Sequence, residues 1–504
     1  MFTDPPDPGW AARLATTKAC LANGRPDLAV MQMETVADAP DAPTEALRLY
    51  ASALRGLGRH ADAIPPLERV VRAQPASAVA EHNLAAALGD LGDVHKAAAA
   101  ARRAVDKGGR APETWLVLGR ALQGLGQLAD AETAYRESLR IRPAQLEARR
   151  DLAQLIWMRT ADPDAAMALF DPAALPVDLH EALMARGAAA LLDMAGERAS
   201  YDWLAPRLTP GSGPLLHLAA ARAAGGLDPV LALAHARSAT EAAPRAPEAR
   251  LALATALMAC GRVMEALPLL DAQIEDTPYD QYAIALRYTA WRLVSDPRAL
   301  TPGDYASLVQ GYDLPGPDAL VDRGSWMAEA GRRLEQLHAF RTHPFDQSVR
   351  AGAQAPIDPR WARDPVLDAV FSALDDPIGA YVRAMGGRSD PMSRRCTPDG
   401  WEMSGAWSIR LREGGRHTDH VHPKGWVSSA LHVVVPAPDA SAPRAGWLRF
   451  GATRLGVGLE LPAEHWVEPR PGRVVLFPSW MWHGTEPFSG PGTRMTIAFD
   501  VRPR

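Results

Sequence analysis

Apolar residues along the first 290 positions recur with a helical period, and those helical stripes themselves repeat every 34 residues. The clearest unit begins at Pro112. It places Trp115, Leu118, Gly119 and Leu122 on one predicted helix, Ala131, Tyr135 and Ser138 on a second, and Pro143 at its end. One period earlier stand Leu84, Ala85, Leu88, Ala97, Ala101 and Ala104. Another period back stand Tyr50, Ala51, Leu54, Ala63, Leu67, Val70 and Pro75. Leu253, Ala254, Leu257, Ala266, Leu270 and Pro278 restate the pattern downstream, while Trp10, Gly24 and Ala29 give a weaker copy. Units across 146–245 are degraded. The spacing predicts stacked helix pairs, with small residues such as Gly119 and Ala131 where two helices must approach. Tyr135 is expected to fill the gap towards the following unit, and Pro143 to stop the second helix.

These positions resemble the tetratricopeptide repeat over roughly residues 10–290. The resemblance implies a superhelix whose concave face receives a peptide or protein segment. From 291 to 400 the period lapses and turn signals crowd in, as at Ser295-Asp296-Pro297 and Leu314-Pro315-Gly316-Pro317. This stretch reads as a mostly helical connecting region, with helices expected at 318–341 and 364–385. From Trp401 the pattern turns to alternation, as in Trp407-Ser408-Ile409-Arg410-Leu411. Further β-like runs cover 427–435, 446–450, 473–477 and 495–501. Short strands punctuated by Gly and Pro predict a double-stranded β-helix, the jelly-roll fold, over 401–504. The expected class is therefore multidomain α + β, a helical solenoid at 1–290 followed by this β-domain.

Composition narrows the picture a little. A net charge of −5 without long single-sign runs argues against a nucleic-acid-coating protein. Three cysteines, Cys20, Cys260 and Cys396, show no paired spacing, so no disulfide framework is expected and a reducing, cytoplasmic setting fits. No apolar run is long enough for a membrane span. The acidic, proline-rich start carries no secretion-signal pattern.

The candidate chemistry lies near the C-terminus. His417-Thr418-Asp419-His420-Val421-His422-Pro423 is followed about sixty residues later by Trp482-His483, and then by Arg494-Met495-Thr496. On an extended segment His420 and His422 point the same way, so both imidazoles can reach one metal. His483 can complete a facial set of ligands that leaves positions open. Arg494 offers a planar fork for a carboxylate, and Thr496, two residues on, adds a hydroxyl on the same face.

With Gly414-Gly415, Gly425-Trp426-Val427-Ser428-Ser429, Gly446-Trp447-Leu448-Arg449-Phe450-Gly451, Pro471-Gly472-Arg473-Val474-Val475-Leu476-Phe477-Pro478-Ser479 and Ile497-Ala498-Phe499-Asp500, this stretch resembles the iron(II)- and 2-oxoglutarate-dependent dioxygenases. It is most similar to bacterial oxygenases that carry N-terminal tetratricopeptide repeats. The block His343-Pro344-Phe345-Asp346-Gln347-Ser348-Val349-Arg350 resembles a segment these proteins carry upstream. The resemblance implies iron(II) at His420, His422 and His483, with 2-oxoglutarate held by Arg494, Thr496 and Ser428.

The chain departs from the wider superfamily, which has a carboxylate where His422 stands. Three histidines, two histidines with water, and a set using His417 and Asp419 all remain open, as does the sterically poorer pair of Asp419 with His420. Arg410 is weighed between the co-substrate and solvent, and His432 as a neighbour of the site. Trp426, Trp480 and Trp482 are weighed between pocket wall and core, and Asp346 with Arg350 as a structural ion pair. The implied activity is hydroxylation of a peptide or protein recruited by the repeats. The alternatives are a repeat scaffold with a degenerate β-domain, and a three-histidine oxygenase of cupin type that ignores 2-oxoglutarate.

Overall fold

A computed structural model describes residues 8–36, 39–317, 322–357, 364–386, 390, 392–396 and 400–504. Residues 1–7, which bear on the secretion-signal reading, and 318–321, the expected start of the first connecting helix, lie outside them. The described part of that helix is Arg323–Glu335, and the second expected helix is divided into Pro365–Ser372 and Asp375–Met385. Contacts divide the chain into two compact units, 1–152 and 153–504. Among the described residues no helix is long and apolar enough to cross a membrane.

The first unit is a run of helix pairs: Thr44–Gly56 with His60–Ala73, Ala78–Leu91 with Val94–Asp106, and Pro112–Gly124 with Leu128–Ile141. Caps fix several starts. Ser77 accepts from the backbone N–H of Ala80, and Asp93 from that of Lys96. Ala97, Ala101 and Ala104 are fully buried, so adjoining backbones come close where a larger side chain would hold them apart. Gly119 makes the same point: a Cβ added there would lie 2.6 Å from the Tyr135 ring. Tyr135 thus covers the first helix of its own repeat, and its hydroxyl donates to Gln123 there.

The second unit continues with helices. The degraded repeats hold one long helix, His180–Leu204, which kinks at Gly196, where φ is 87°. Pro214–Gly225 pairs with Pro229–Ala242 and Pro247–Ala259 with Val263–Asp276, and Gln281–Leu293 ends the array. Asp280 caps that last helix, accepting from the N–H groups of Tyr282 and Ala283.

Eleven strands follow among the described residues: β1 (Gln310–Asp313), β2 (Val349–Pro356), β3 (Trp401–His417), β4 (Val427–Val434), β5 (Leu448–Phe450), β6 (Thr453–Arg454), β7 (Glu460–Leu461), β8 (His465–Val467), β9 (Arg473–Pro478), β10 (His483–Thr485) and β11 (Arg494–Pro503). A six-stranded antiparallel sheet has the order β1-β9-β4-β11-β3-β2, and a second sheet has the order β10-β5-β8. Phe450 of the second sheet packs edge-on against Phe477 of the first, with ring centroids 5.0 Å apart. The larger sheet reaches back before Trp401, because β1 pairs with β9 and β2 with β3.

The last repeat helix is welded to the β-domain. Ile284 and Tyr288 share a hydrophobic cluster with Phe450, Phe477 and Trp480. Val421 and Trp482 join a second cluster with Ala285, Leu286 and the preceding repeat helices. Arg292 donates to the carbonyls of Gly451 and Pro462.

Candidate metal centre

The backbone itself pairs two of the histidines. His420 donates to the carbonyl of His483 over 2.9 Å, and His483 donates back over 3.1 Å. Residues exchanging both bonds sit directly opposite one another, so their side chains leave on one face. His420 follows β3 in an extended segment, and His483 opens β10. The backbone N–H of His422 is held by the carbonyl of Ser479 at 2.9 Å. The three rings gather so that one nitrogen from each lies within 4.8 Å of the others.

Each ring is held by its Nδ1. His420 donates Nδ1–H to the carbonyl of Thr418 at 2.8 Å, and His483 to that of Met481 at 2.9 Å. His422 donates to Oδ1 of Asp500 at 2.6 Å. Carbonyl and carboxylate oxygens only accept, so the proton of each neutral ring sits on Nδ1 and the Nε2 lone pair faces the others. The Nε2 atoms of His420 and His422 are 3.3 Å apart. Two lone pairs at that distance repel, and a cation facing both removes the repulsion.

Burial acts in the same direction. It lowers the pKa of His420 to about 3, with His422 adding to the effect, and it holds His483 far below the usual imidazole value. At His422 burial also opposes the charged form, but the charge and hydrogen bond of Asp500 outweigh it and the pKa is raised. Three imidazoles with outward-anchored tautomers suit a divalent transition ion and leave positions for other ligands. The residues present fit iron(II).

Ser348, from the segment before β2, lies in the same cluster. Its Oγ is 2.8 Å from Nδ1 of His417 and 3.1 Å from Nε2 of His420. His417 is thereby engaged by a hydroxyl. Its pKa is held well below the usual imidazole value, by burial first and then by the neighbouring His420 and Arg494. Asp419 does not join the rings. Its carboxylate takes a two-pronged pair from Arg449, with both distances 2.9 Å. Burial nonetheless raises the Asp419 pKa against the pull of Arg449.

Arg494 opens β11 and is 1% exposed. Its Nε donates to the carbonyl of Gly446 at 3.1 Å, and one NH2 group lies 3.4 Å from Nδ1 of His432. Among the described residues no carboxylate pairs with it, and burial lowers its pKa to about 10. Because Nδ1 of His432 accepts from a guanidinium, the His432 proton sits on Nε2, and that buried donor has no partner. A buried cation without an anion stands beside a buried donor without an acceptor. Both deficits are met by one carboxylate, so this corner fits an end of 2-oxoglutarate. Thr496 is cross-strand neighbour to His432 and lies on the Arg494 face of β11.

Ser428, expected beside the co-substrate, has its hydroxyl engaged by Oδ1 of Asp500 at 2.7 Å and by Oγ of Ser479 at 2.8 Å. Arg410 pairs with Glu335, and its strand neighbours are Met495 and Ala353 on the other face of the sheet. Trp426 donates to the carbonyl of Met392, Trp482 donates to Thr289, and Trp480 is core. Arg350 reaches Asp193 of the kinked repeat helix, and so does the backbone N–H of Asp346. Asp500 and Ser348 lie in blocks that carry the resemblance, but nothing in the sequence singles either out as a site residue. Asp500 lies six residues past Arg494 on one strand, and Ser348 is far away in sequence, so only the folded sheet brings them to the rings.

Residues 405–500 match the family described as "Putative 2OG-Fe(II) oxygenase". Residues 15–78, 82–145 and 116–176 match the tetratricopeptide repeat. Among solved structures, MamA 41-end from Desulfovibrio magneticus RS-1 is 20% identical, with a TM-score of 0.30 over 33% of this chain and 93% of that one. Yeast Tom70 is 14% identical, with a TM-score of 0.43 over 61% of this chain and 68% of that one. No curated protein matches the chain.

Proposed function

We propose, for a chain that joins tetratricopeptide repeats to a domain matching the 2OG-Fe(II) oxygenase family, that it hydroxylates a peptide or protein segment using iron(II) and 2-oxoglutarate. In this reading residues 1–290 recruit the substrate, and 401–504, completed by β1 and β2 from the 291–400 connecting region, form a double-stranded β-helix that carries the chemistry. When bound, iron(II) and 2-oxoglutarate supply dioxygen activation coupled to decarboxylation of the co-substrate to succinate and carbon dioxide.

The chain's own residues bind and orient. His420, His422 and His483 hold the metal through Nε2, each kept in that tautomer by its Nδ1 partner. Arg494 takes the far carboxylate of 2-oxoglutarate, with Nε2–H of His432 and the hydroxyl of Thr496 as further donors. Ser428 contributes through Asp500, whose carboxylate it steadies. The packing of Phe450 and Phe477 around His483 keeps water from that side of the ring.

One observation carries the reading: a guanidinium that no described carboxylate neutralises is buried in the same domain that converges three histidines. The test is anaerobic addition of iron(II) and then 2-oxoglutarate, followed by visible absorption, with succinate measured once oxygen is admitted. A charge-transfer band and succinate release, both lost in His483→Ala and with weakened 2-oxoglutarate binding in Arg494→Ala, are expected. Iron that does not bind, or that ignores 2-oxoglutarate, overturns the proposal. Turnover that survives Arg494→Ala points instead to a three-histidine oxygenase without this co-substrate.

A further inference from the structure

The three candidate ligands differ in what stands behind them. Nδ1 of His420 and of His483 each meet a neutral backbone carbonyl. Nδ1 of His422 alone meets a carboxylate, Oδ1 of Asp500, at 2.6 Å. That oxygen also accepts from Ser428 over 2.7 Å, and Ser428 is joined to Ser479 at 2.8 Å. Ser479 closes the circuit, because its carbonyl accepts from the backbone N–H of His422. Asp500 sits in β11, opposite Ser428 of β4 and Gly405 of β3, so strands on both sides fix it. A carboxylate so held cannot turn away from the ring without breaking two hydrogen bonds.

We infer that Asp500 is a positioning residue that supplies, one bond further out, the negative charge a carboxylate ligand would have placed on the metal. The inference rests on the iron reading above. His422 stands where most of the superfamily has a carboxylate, and an all-imidazole set leaves a divalent ion with its full double charge. A carboxylate hydrogen-bonded to the far nitrogen pushes electron density through the ring and strengthens Nε2 as a donor. His422 is then the electronically distinct ligand, and the ligand set behaves as two neutral histidines and one histidine–carboxylate unit. Ser428 and Ser479 are the parts that keep the unit aligned.

The test uses the full chain and cobalt(II) as the probe, under anaerobic conditions without 2-oxoglutarate. Binding is followed by calorimetry and by the visible bands of the bound ion. Asp500→Asn keeps an oxygen that accepts from Nδ1 but removes the charge. Its cobalt dissociation constant is expected to rise about 10–100-fold, the range for partners of metal-bound histidines. Its melting temperature without metal is expected to stay near that of the wild type, and Asp500→Glu is expected to recover part of the affinity. Asp500→Asn that binds cobalt within about twofold of the wild type, with unchanged bands, overturns the inference.

If Asp500→Asn does not fold, the wild-type protein decides. With zinc(II) bound and histidines labelled with 15N, the Nδ1–H proton of His422 is expected furthest downfield of the three. Three alike resonances overturn the inference. Wild-type protein that binds neither ion overturns the iron reading and this inference with it. Wild-type binding with an indifferent Asp500→Asn removes only this inference.

Discussion

The indole N–H of Trp482 donates to the hydroxyl of Thr289 over 3.0 Å, so the last repeat helix and the turn that delivers His483 share a buried hydrogen bond. Thr289 donates in turn to the carbonyl of Ala285. The Tyr282 ring meets Trp482 edge-on at 6.1 Å, and Tyr288 meets Trp480 likewise at 5.9 Å. Repeat and β-domain therefore stabilise one another beside the three-histidine cluster. Thr289→Val keeps the shape and removes the acceptor, leaving the indole N–H buried and unpaired. It is expected to cost about 1–3 kcal/mol in denaturant unfolding. Trp482→Phe added to that background is expected to cost less than it does alone, since the polar group that needed a partner is gone. Additive losses would show that the two residues do not act as a pair.

Arg494 makes opposite predictions for stability and for binding. A buried guanidinium without a carboxylate is a net cost to the folded chain. Arg494→Met, similar in reach and apolar, is therefore expected to melt no lower than the wild type in the absence of 2-oxoglutarate. In its presence the order reverses: the wild type gains by mass action and the variant does not. The variant's dissociation constant for 2-oxoglutarate is expected to rise at least about tenfold, as when a charged hydrogen bond of about 1.5–3 kcal/mol is lost. A variant destabilised without ligand and unaltered in binding would make Arg494 a purely structural residue.

Gly119 and Tyr135 show how a repeat becomes legible. The 34-residue period survives in sequence because it records a close approach: a Cβ at Gly119 would stand 2.6 Å from the Tyr135 ring. Gly119→Val is expected to destabilise by about 1–3 kcal/mol through overpacking, and Gly119→Val with Tyr135→Ala by less than the sum of the single changes. Thermal melting of the three variants checks this.

The three clustered histidines are legible for a similar reason. His420 and His422 stand two apart, and His483 follows a strand of buried residues, so chain order alone carries the constellation. Other parts leave no local trace. β2 reads Val-Arg-Ala-Gly-Ala-Gln-Ala-Pro, too rich in small residues to show alternation, and becomes a strand only because β3 is there to pair with it. Ser428 is legible as a hydroxyl near the co-substrate, but its bond to Asp500 is not, because only the pairing of two β-strands sets them side by side. The weld at Thr289 joins residues 193 positions apart, a distance no short-range pattern records.

Two histidines away from the three-histidine cluster give a pH dependence. Burial, then the charges of Arg410 and Arg412, lower the pKa of His338 to about 4. Burial, then Arg350, do the same to His343, against a weaker opposing bond to Asp193. Each ring is neutral in the folded chain and binds a proton near pH 6.5 when unfolded. The unfolded state therefore holds more protons below that pH, and stability must fall as pH drops from about 6.5 towards 4. Above about pH 7 these two groups contribute no slope. Melting temperatures measured across pH 8 to 5 check the sign. The double change His338→Gln and His343→Gln is expected to reduce the slope without abolishing it, because His417, His420 and His483 are lowered in the same direction, and a slope left intact would assign the effect to those groups.

Asp419 offers the sharpest separation between the ligand sets that sequence leaves open. It spells a His-x-Asp with His417, yet both of its oxygens are taken by Arg449 at 2.9 Å, and Arg449 also reaches Glu486 at 3.1 Å. Nδ1 of His417 is engaged by Ser348. Asp419→Asn should therefore weaken folding without touching the metal. The loss is expected at about 1–3 kcal/mol, because the Asp419 side chain is largely buried and Arg449 keeps a second carboxylate. Its cobalt(II) dissociation constant is expected within about twofold of the wild type, whereas His422→Ala is expected to raise that constant far beyond the roughly tenfold floor seen for outer partners. A metal affinity lost in Asp419→Asn and kept in His422→Ala would reverse the assignment, and the ion would then belong to a histidine–aspartate pair.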